Sequence, residues 1–482
     1  MNRKMIFYLL GQIIKAEAAL MALPLLVSII YSEPRVLLSF GAAILIALTV
    51  GFGLTFFCKT DNKNIFAKEG FIIVSLAWIS MSLIGALPFT FSGEIENYVD
   101  AIFETVSGFT TTGASIISDL EGMSYGLLFW RSFTHWVGGM GVLVFVMAIL
   151  PSSDKSIHIM RAEMPGPIVG KLVPKAKQTA KLLYLIYIVL TIVEIIFLLF
   201  GGMSLFESVV HAFGTAGTGG FGVKANSIES YSPYIQWVIT VFMFIFGINF
   251  NLFYLILIGR IKNVFKSSEL WCYTLIVLGA GAMVCANIWS MFQNASDCIR
   301  TSLFQVVSII TTTGYATTDF NLWPELSKGI LFTLMFIGGC AGSTAGGLKV
   351  SRILLIFKMI KNELLHMLHP RSVSSVRFEG KKVDSTTQNS VYSYFTLFMI
   401  CFFTIFLVVS LDGFDFQSTF TTVATCINNV GPAFGAFGPA SNYSAYSDLS
   451  KIVLSLGMLL GRLEIYPLLF LFTPSVWMKN KQ

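Results

Sequence analysis

Oxygen atoms in a repeated pattern are the first chemistry this chain offers. Thr110-Thr111-Thr112-Gly113-Ala114-Ser115 follows a short half-apolar segment that begins at Phe103, and an apolar stretch starts near Leu127. The run returns as Thr311-Thr312-Thr313-Gly314-Tyr315, after Ile309-Ile310. Two blurred copies, Gly217-Thr218-Gly219-Gly220-Phe221 and Asn428-Asn429-Val430-Gly431-Pro432, complete the set. The shared glycines, Gly113, Gly220, Gly314 and Gly431, are spaced by 107, 94 and 117 residues. Threonine favours extended backbone through its β-branch and adds a hydroxyl. Glycine reaches positive φ without steric cost. Such a strand can aim successive carbonyls the same way, and rings of carbonyls replace the hydration shell of a cation. A single copy would read as an ordinary loop. Four copies, each between a short apolar segment and a long one, argue for one unit used four times around a shared path.

The elements that position these segments belong in a membrane. Of 482 residues, 55% are hydrophobic and 12% charged, about half the charge of a soluble domain. A span needs about 20 apolar residues, and the expected fold is an all-α polytopic membrane protein with about twelve such helices. Residues 5–31 and 36–57 read as a hairpin. Four modules follow, each a span, a re-entrant half-helix with its turn, and a second span: 69–91, 97–109 and 124–150; 180–200, 203–216 and 231–259; 268–294, 297–310 and 326–362; 389–411, 415–427 and 446–472. The corresponding domains are 1–60 for the hairpin, then 61–152, 153–262, 263–365 and 366–482 for the modules around a pseudo-fourfold pore. Lys and Arg crowd alternate loops, such as Lys155 to Lys181 and Arg371 to Lys382, while the opposite loops hold little beyond Arg35, Lys224, Arg300, Lys328 and Lys451. By the positive-inside rule both termini are cytoplasmic and the four repeated segments open outward. This charge pattern is an orientation signal, not a nucleic-acid surface. The long polar loops Pro151–Lys181 and His366–Gln388 are either solvated linkers or docking surfaces. The seven cysteines show no metal-ligand spacing and read as small buried hydrophobes, with Cys58 and Cys298 standing alone near span ends.

The four segments, with Gly461-Arg462-Leu463-Glu464-Ile465-Tyr466-Pro467, resemble the Trk/Ktr/HKT superfamily of potassium transporters, and within it the bacterial TrkH branch. The resemblance runs the length of the chain, and the extra N-terminal hairpin is the TrkH feature. It implies a pore selective for potassium and rubidium over sodium, with potassium as the transported ion and no cofactor on this chain. It implies a homodimer in the bacterial cytoplasmic membrane above a cytosolic nucleotide-binding ring, TrkA, which would carry the nucleotide. The ion ligands would be Thr110, Thr111, Thr112 and Gly113, with Gly217, Thr218, Gly219 and Gly220, then Thr311, Thr312, Thr313 and Gly314, and finally Asn428, Asn429, Val430 and Gly431. Only the first and third copies keep Thr-Thr-Thr-Gly, so selectivity is expected to be looser than in a tetrameric potassium channel. Within the superfamily, serine in place of the first-module glycine goes with sodium permeation, and Gly113 favours potassium.

A second glycine-rich run interrupts the third module's second span. Gly338, Gly339, Gly342, Gly346 and Gly347 fall within ten residues, and each costs a helix about 1 kcal/mol relative to alanine. A phosphate-binding loop is excluded, because Leu348 separates Gly347 from Lys349 and no Ser or Thr follows the lysine. A small-residue packing face and a flexible intramembrane loop remain. The resemblance favours the loop, as a gate formed by Gly338, Gly339, Gly342, Ser343, Thr344, Gly346 and Gly347. Arg462, in the middle of the last span, is too costly for lipid. It is expected to point into the pore below the repeated segments and to bond loop carbonyls. Lys349 and Arg352 read as snorkelling side chains, and Arg131 and His135 as interface anchors. His211 reads as a buried, hydrogen-bonded side chain. Asn249 and Asn251 either bond across helices or line an inner cavity. No catalytic triad, acid pair or metal cluster emerges, so an enzyme is not expected. The rivals are a sodium-permeable or ion-coupled carrier, marked by a carboxylate deep in a span with Glu194 and Glu464 as candidates, and a non-conducting membrane sensor.

Overall fold

The computed structural model describes residues 2–60, 65–141, 176–371 and 375–477; most of the Pro151–Lys181 loop lies outside them. The chain is helical apart from one small hairpin. Arg3–Leu20 and Ala22–Ile30 form the first span, broken only at Met21, and Pro34–Phe57 returns beside it. Gly11 and Gly51 let these helices approach closely, since a Cβ on Gly51 would lie 3.0 Å from the Gly11 carbonyl oxygen. Small residues serve this purpose where no hydrophobic gradient drives helices together. Leu38, Leu275 and Leu407 are more than half exposed on outward faces, as lipid-facing side chains must be.

The first span of each module is a long helix. These are Ala67–Gly85 continued by Leu87–Ser92, then Ala176–Phe200, Ser268–Ile288 and Ser385–Val409. The re-entrant helices are Tyr98–Phe109, Leu205–Gly217, Ala295–Ile310 and Phe416–Asn428. Polar caps start three of them. Asn97 accepts from Val99 N, Ser204 forms a capping box with Glu207, and Asp415 accepts from Ser418 N, satisfying donors that a helix start leaves open.

The second spans differ from the sequence expectation. A break was expected in the third module alone, yet the second spans of modules two and four are broken as well, and in module one the first helix ends at Gly139, with residues 142–150 of the expected span outside the described residues. Tyr125–Gly139 ends before Met140-Gly141, and Pro233–Phe246 is bent by 89° from Phe250–Leu257. Glu325–Ile337 is parted from Val350–Leu368 by the glycine-rich loop, and Asp448–Arg462 from Tyr466–Phe472. Among the described residues six helices are long and apolar enough to cross a membrane unbroken, or seven if the bent pair counts as one. The half-helices are too short singly. Residues 375–383, which the sequence left as linker or docking surface, contain an antiparallel hairpin pairing Arg377 with Lys382 and Phe378 with Lys381. Apolar packing joins the N-terminal hairpin to modules one and four in one core, and modules two and three in another. The repeated turns lie between the two.

Candidate functional site

The four re-entrant helices end alike. Thr111, Thr218, Thr312 and Asn429 take left-handed backbone, with φ of 56°, 55°, 56° and 58°. The next residue's N–H bonds back five positions: Thr112 to Ser107 O, Gly219 to Gly214 O, Thr313 to Ser308 O and Val430 to Thr425 O, at 2.8–3.0 Å. This is a Schellman closure. One residue on, Gly113, Gly220, Gly314 and Gly431 are again at positive φ. Alternating handedness turns successive carbonyls towards one side.

The turns close on each other in order. A Cβ on Gly113 would strike the carbonyl oxygen of Gly219, one on Gly220 that of Thr313, and one on Gly314 that of Val430. A Cβ on Gly431 would come within 2.7 Å of Thr112 O. Each glycine thus sits under the carbonyl that precedes the glycine of the next module, and the fourth returns to the first. All four glycines line one cavity of about 130 Å³. This ring brings together the sequence-predicted Thr110–Gly113, Gly217–Gly220, Thr311–Gly314 and Asn428–Gly431.

The threonine hydroxyls differ from expectation. Several were read as spare oxygen ligands. Instead Thr110 Oγ1 bonds Val106 O and Thr112 Oγ1, and Thr311 Oγ1 bonds Val307 O and Thr313 Oγ1. Thr112 Oγ1 also accepts from Asn429 Nδ2 at 2.9 Å. These bonds stiffen the turns, whereas Thr111 Oγ1 is buried with no hydrogen-bond partner among the described residues.

Charged and aromatic side chains brace the ring from behind, and the sequence reading of Arg131 and His135 as interface anchors is corrected here. Arg131 is buried and its Nε donates to Glu104 Oε1 at 2.5 Å. It also bonds Gly222 O and lies 3.4 Å above the Phe221 ring. Glu104 accepts from Ile116 N and Ser115 Oγ as well, so one ion pair ties the first turn to the second. The His135 Nδ1–H donates to Gly108 O at 2.7 Å, and its ring packs on Phe221. Tyr315 OH bonds His211 O and Phe221 O, joining the third turn to the second. His211 is buried with Nδ1 on Glu207 O, in keeping with expectation. Glu104 was missed in the sequence. The available signal was an acid in one buried segment of a module and a base in the next.

The glycine-rich loop lies directly beneath the ring. Gly346 N donates to Thr312 Oγ1 at 2.6 Å and Gly347 N to Asn428 O at 3.0 Å. Cys340 N bonds Gly247 O, Phe250 N bonds Gly342 O, and Thr344 Oγ1 bonds Phe246 O. Asn249 caps the helix Phe250–Leu257 by accepting from Asn251 N and lies against Gly342. Arg462 Nη1 donates to Thr344 O at 2.8 Å, and Nη2 to Gly138 O and Gly139 O at 2.6 and 2.7 Å. Arg462 ends the helix Asp448–Arg462, where the exposed carbonyl dipoles favour a cation. Gly338 and Gly339 begin the loop, and Ser343 Oγ turns back to Cys340 O. The two basic residues read as snorkelling do not reach outward. Lys349 Nζ bonds Ala345 O, and Arg352 pairs with Glu464 and stacks 4.2 Å over Tyr394. Glu464 is therefore an ion-pair partner and not an open carboxylate. Cys285 and Cys298 Sγ are 3.4 Å apart, so Cys298 does not stand alone.

Fold and site define a helical, polytopic membrane protein in which four modules meet in a carbonyl ring closed below by a loop. The TrkH family model, described as a cation transport protein, matches residues 38–479. The chain is 36% identical over 488 residues to the Trk system potassium uptake protein TrkH of Escherichia coli (strain K12), covering 99% of this chain and 100% of that protein. It is 34% identical over 483 residues to the Trk system potassium uptake protein TrkG of the same organism, covering 98% of each. The crystal structure of the potassium transporter TrkH from Vibrio parahaemolyticus shares a TM-score of 0.90 at 31% identity, covering 99% of this chain and 100% of that one. The chain belongs to the TrkH family of cation transport proteins, a family of transporters and not of enzymes.

Proposed function

We propose that this chain is the pore-forming subunit of a potassium uptake system. The observation that carries it is the closed ring, in which the glycine of each module sits under the carbonyl of the next. Potassium sheds water at carbonyls of Thr110–Gly113, Gly217–Gly220, Thr311–Gly314 and Asn428–Gly431, which stand in for its hydration shell. Rubidium, close in size, follows the same path. The loop from Gly338 to Gly347, with Arg462 bonded to Thr344 O, is the gate. The guanidinium places a positive charge below the ring, where it repels a resting cation. The subunit sits in the cytoplasmic membrane with both termini inside, as a dimer, and a cytosolic nucleotide-binding partner draws the loop aside. The similarity to Trk system potassium uptake proteins supports the substrate.

One observation favours an ion-coupled carrier instead. Glu194, in the span Ala176–Phe200, is fully buried, and among the described residues no cation pairs with its carboxylate, which faces Thr215. Glu17, in the first span, is likewise buried without a paired cation among the described residues.

Rubidium uptake into proteoliposomes holding this protein tests the proposal, with external potassium or sodium as competitor. Potassium should compete, sodium should not, and Arg462→Ala should raise flux several-fold. Equal competition by sodium would overturn the selectivity, and no flux in any variant with the partner present would overturn transport.

A further inference from the structure

Two attachments of the gating loop lead to one place on the cytoplasmic side. At its first half, Ala341 N donates to Glu269 Oε1 at 2.7 Å. Glu269 lies in the first turn of the helix Ser268–Ile288. The start of that helix is held by Glu379, whose Oε1 accepts from Ser267 Oγ, Ser268 Oγ and Glu269 N, each at 3.1 Å. Glu379 sits in the two-residue turn of the hairpin Arg377–Lys382. At its second half, the loop runs straight into the helix Val350–Leu368. That helix packs against the same hairpin, because Leu355, Met359, Val376, Phe378, Val383 and Val391 form a small core of their own. Lys358 Nζ adds a bond to Arg377 O at 3.0 Å. One hairpin therefore reaches the loop from both sides, through Glu269 at Ala341 and through the helix Val350–Leu368 that follows it.

The turn itself is built for that contact. Glu379 and Gly380 have φ of 47° and 75°, the pattern of a tight hairpin turn that prefers Asn-Gly or Asp-Gly. Glutamate is a poor choice for left-handed backbone. Its extra methylene gives the carboxylate the reach to Ser267 and Glu269.

We propose that this hairpin is the lever that sets the position of the gating loop, with Glu379 and Glu269 as its positioning residues. A force that lifts the hairpin from Ser267–Glu269 moves the helix Val350–Leu368 with it and releases Ala341. The lever deepens the gating reading above and rests on it.

Cys340, fully buried beside Ala341, is a native reporter of loop position. Its reaction with N-ethylmaleimide, followed by peptide mass mapping of the whole reconstituted protein, reads the loop without reading transport. Glu379→Asn keeps the left-handed turn but is too short for the contact. It should raise the Cys340 labelling rate several-fold, as should Glu269→Ala, and the double variant should not exceed the faster single one. Glu269→Gln, which keeps an acceptor for Ala341 N, should label at the parent rate. Parent-like labelling in Glu379→Asn would overturn the lever, whether or not Glu269→Ala exposes the thiol. So would labelling in Glu269→Gln as fast as in Glu269→Ala. Rubidium flux measured on the same samples separates the two readings: exposed Cys340 with unchanged flux keeps the lever and removes the loop as gate.

Discussion

Thr111, Thr218 and Thr312 adopt left-handed backbone that costs an L-residue about 1–2 kcal/mol and that glycine would adopt freely. A β-branched residue persists there only where its side chain is needed, and Thr312 shows one need in its bond to the loop. The glycines one step further are fixed by space as well as by φ. Gly113→Ser places its Cβ against Gly219 O and pushes the first strand out of the ring. We expect sodium to compete with rubidium uptake in this variant, and parent-like selectivity would remove the ring as the selective element. Behind the ring, Arg131→Met leaves Glu104 charged and buried, at ~3–5 kcal/mol. Thermal unfolding in detergent should fall sharply, and Glu104→Gln added to Arg131→Met should recover part of the loss. No recovery would mean that the pair does not act as a unit. The turns were legible because Thr-Thr-Thr-Gly occurs twice. Arg131 was misread because a lone arginine near a span end looks the same whether it faces lipid headgroups or a buried acid on the preceding half-helix.

At the scale of elements, the second spans of modules two, three and four are broken, and the helix Tyr125–Gly139 of module one ends at Gly139; only the break in module three was visible beforehand. Five glycines in ten residues announce themselves. Met140-Gly141, Gly247-Ile248-Asn249 and Leu463-Glu464-Ile465 do not, and the last uses two non-glycine residues at positive φ. Tertiary contacts hold these breaks open: Arg462 takes up Gly138 O and Gly139 O, and Gly247 O receives Cys340 N. Such partners lie far away in the chain, so local propensity carries no trace of them. The loop is thus fastened by bonds that can be removed singly. Thr312→Ala deletes the acceptor for Gly346 N, a bond worth about 1 kcal/mol net, or about fivefold in the gate equilibrium. Rubidium flux should rise by that order, while Thr312→Ser should stay at the parent level. Equal flux in the two variants would place the restraint on the loop elsewhere.

At the scale of the molecule, the pseudo-fourfold ring offers one central path, and the charged groups near it are mostly paired. Glu104 is matched by Arg131, Glu464 by Arg352, and Asp100 by Lys451. A path of carbonyls without a titrating partner needs no second ion, because a membrane potential supplies about 2.3 kcal/mol per charge per 100 mV. Current through reconstituted protein should then reverse at the potassium equilibrium potential and move by about 59 mV for a tenfold change in potassium. Sodium and pH should leave it in place. Glu194 is the group on which the opposite outcome would turn, since its carboxylate is buried in a span and, among the described residues, has no cation paired with it. If the reversal potential follows sodium or pH, and Glu194→Gln restores the potassium slope, that carboxylate couples a second ion and the carrier reading replaces the passive one. If the slope holds in the parent and in Glu194→Gln alike, the buried acid lies off the ion path, and the ring and its gate suffice for uptake.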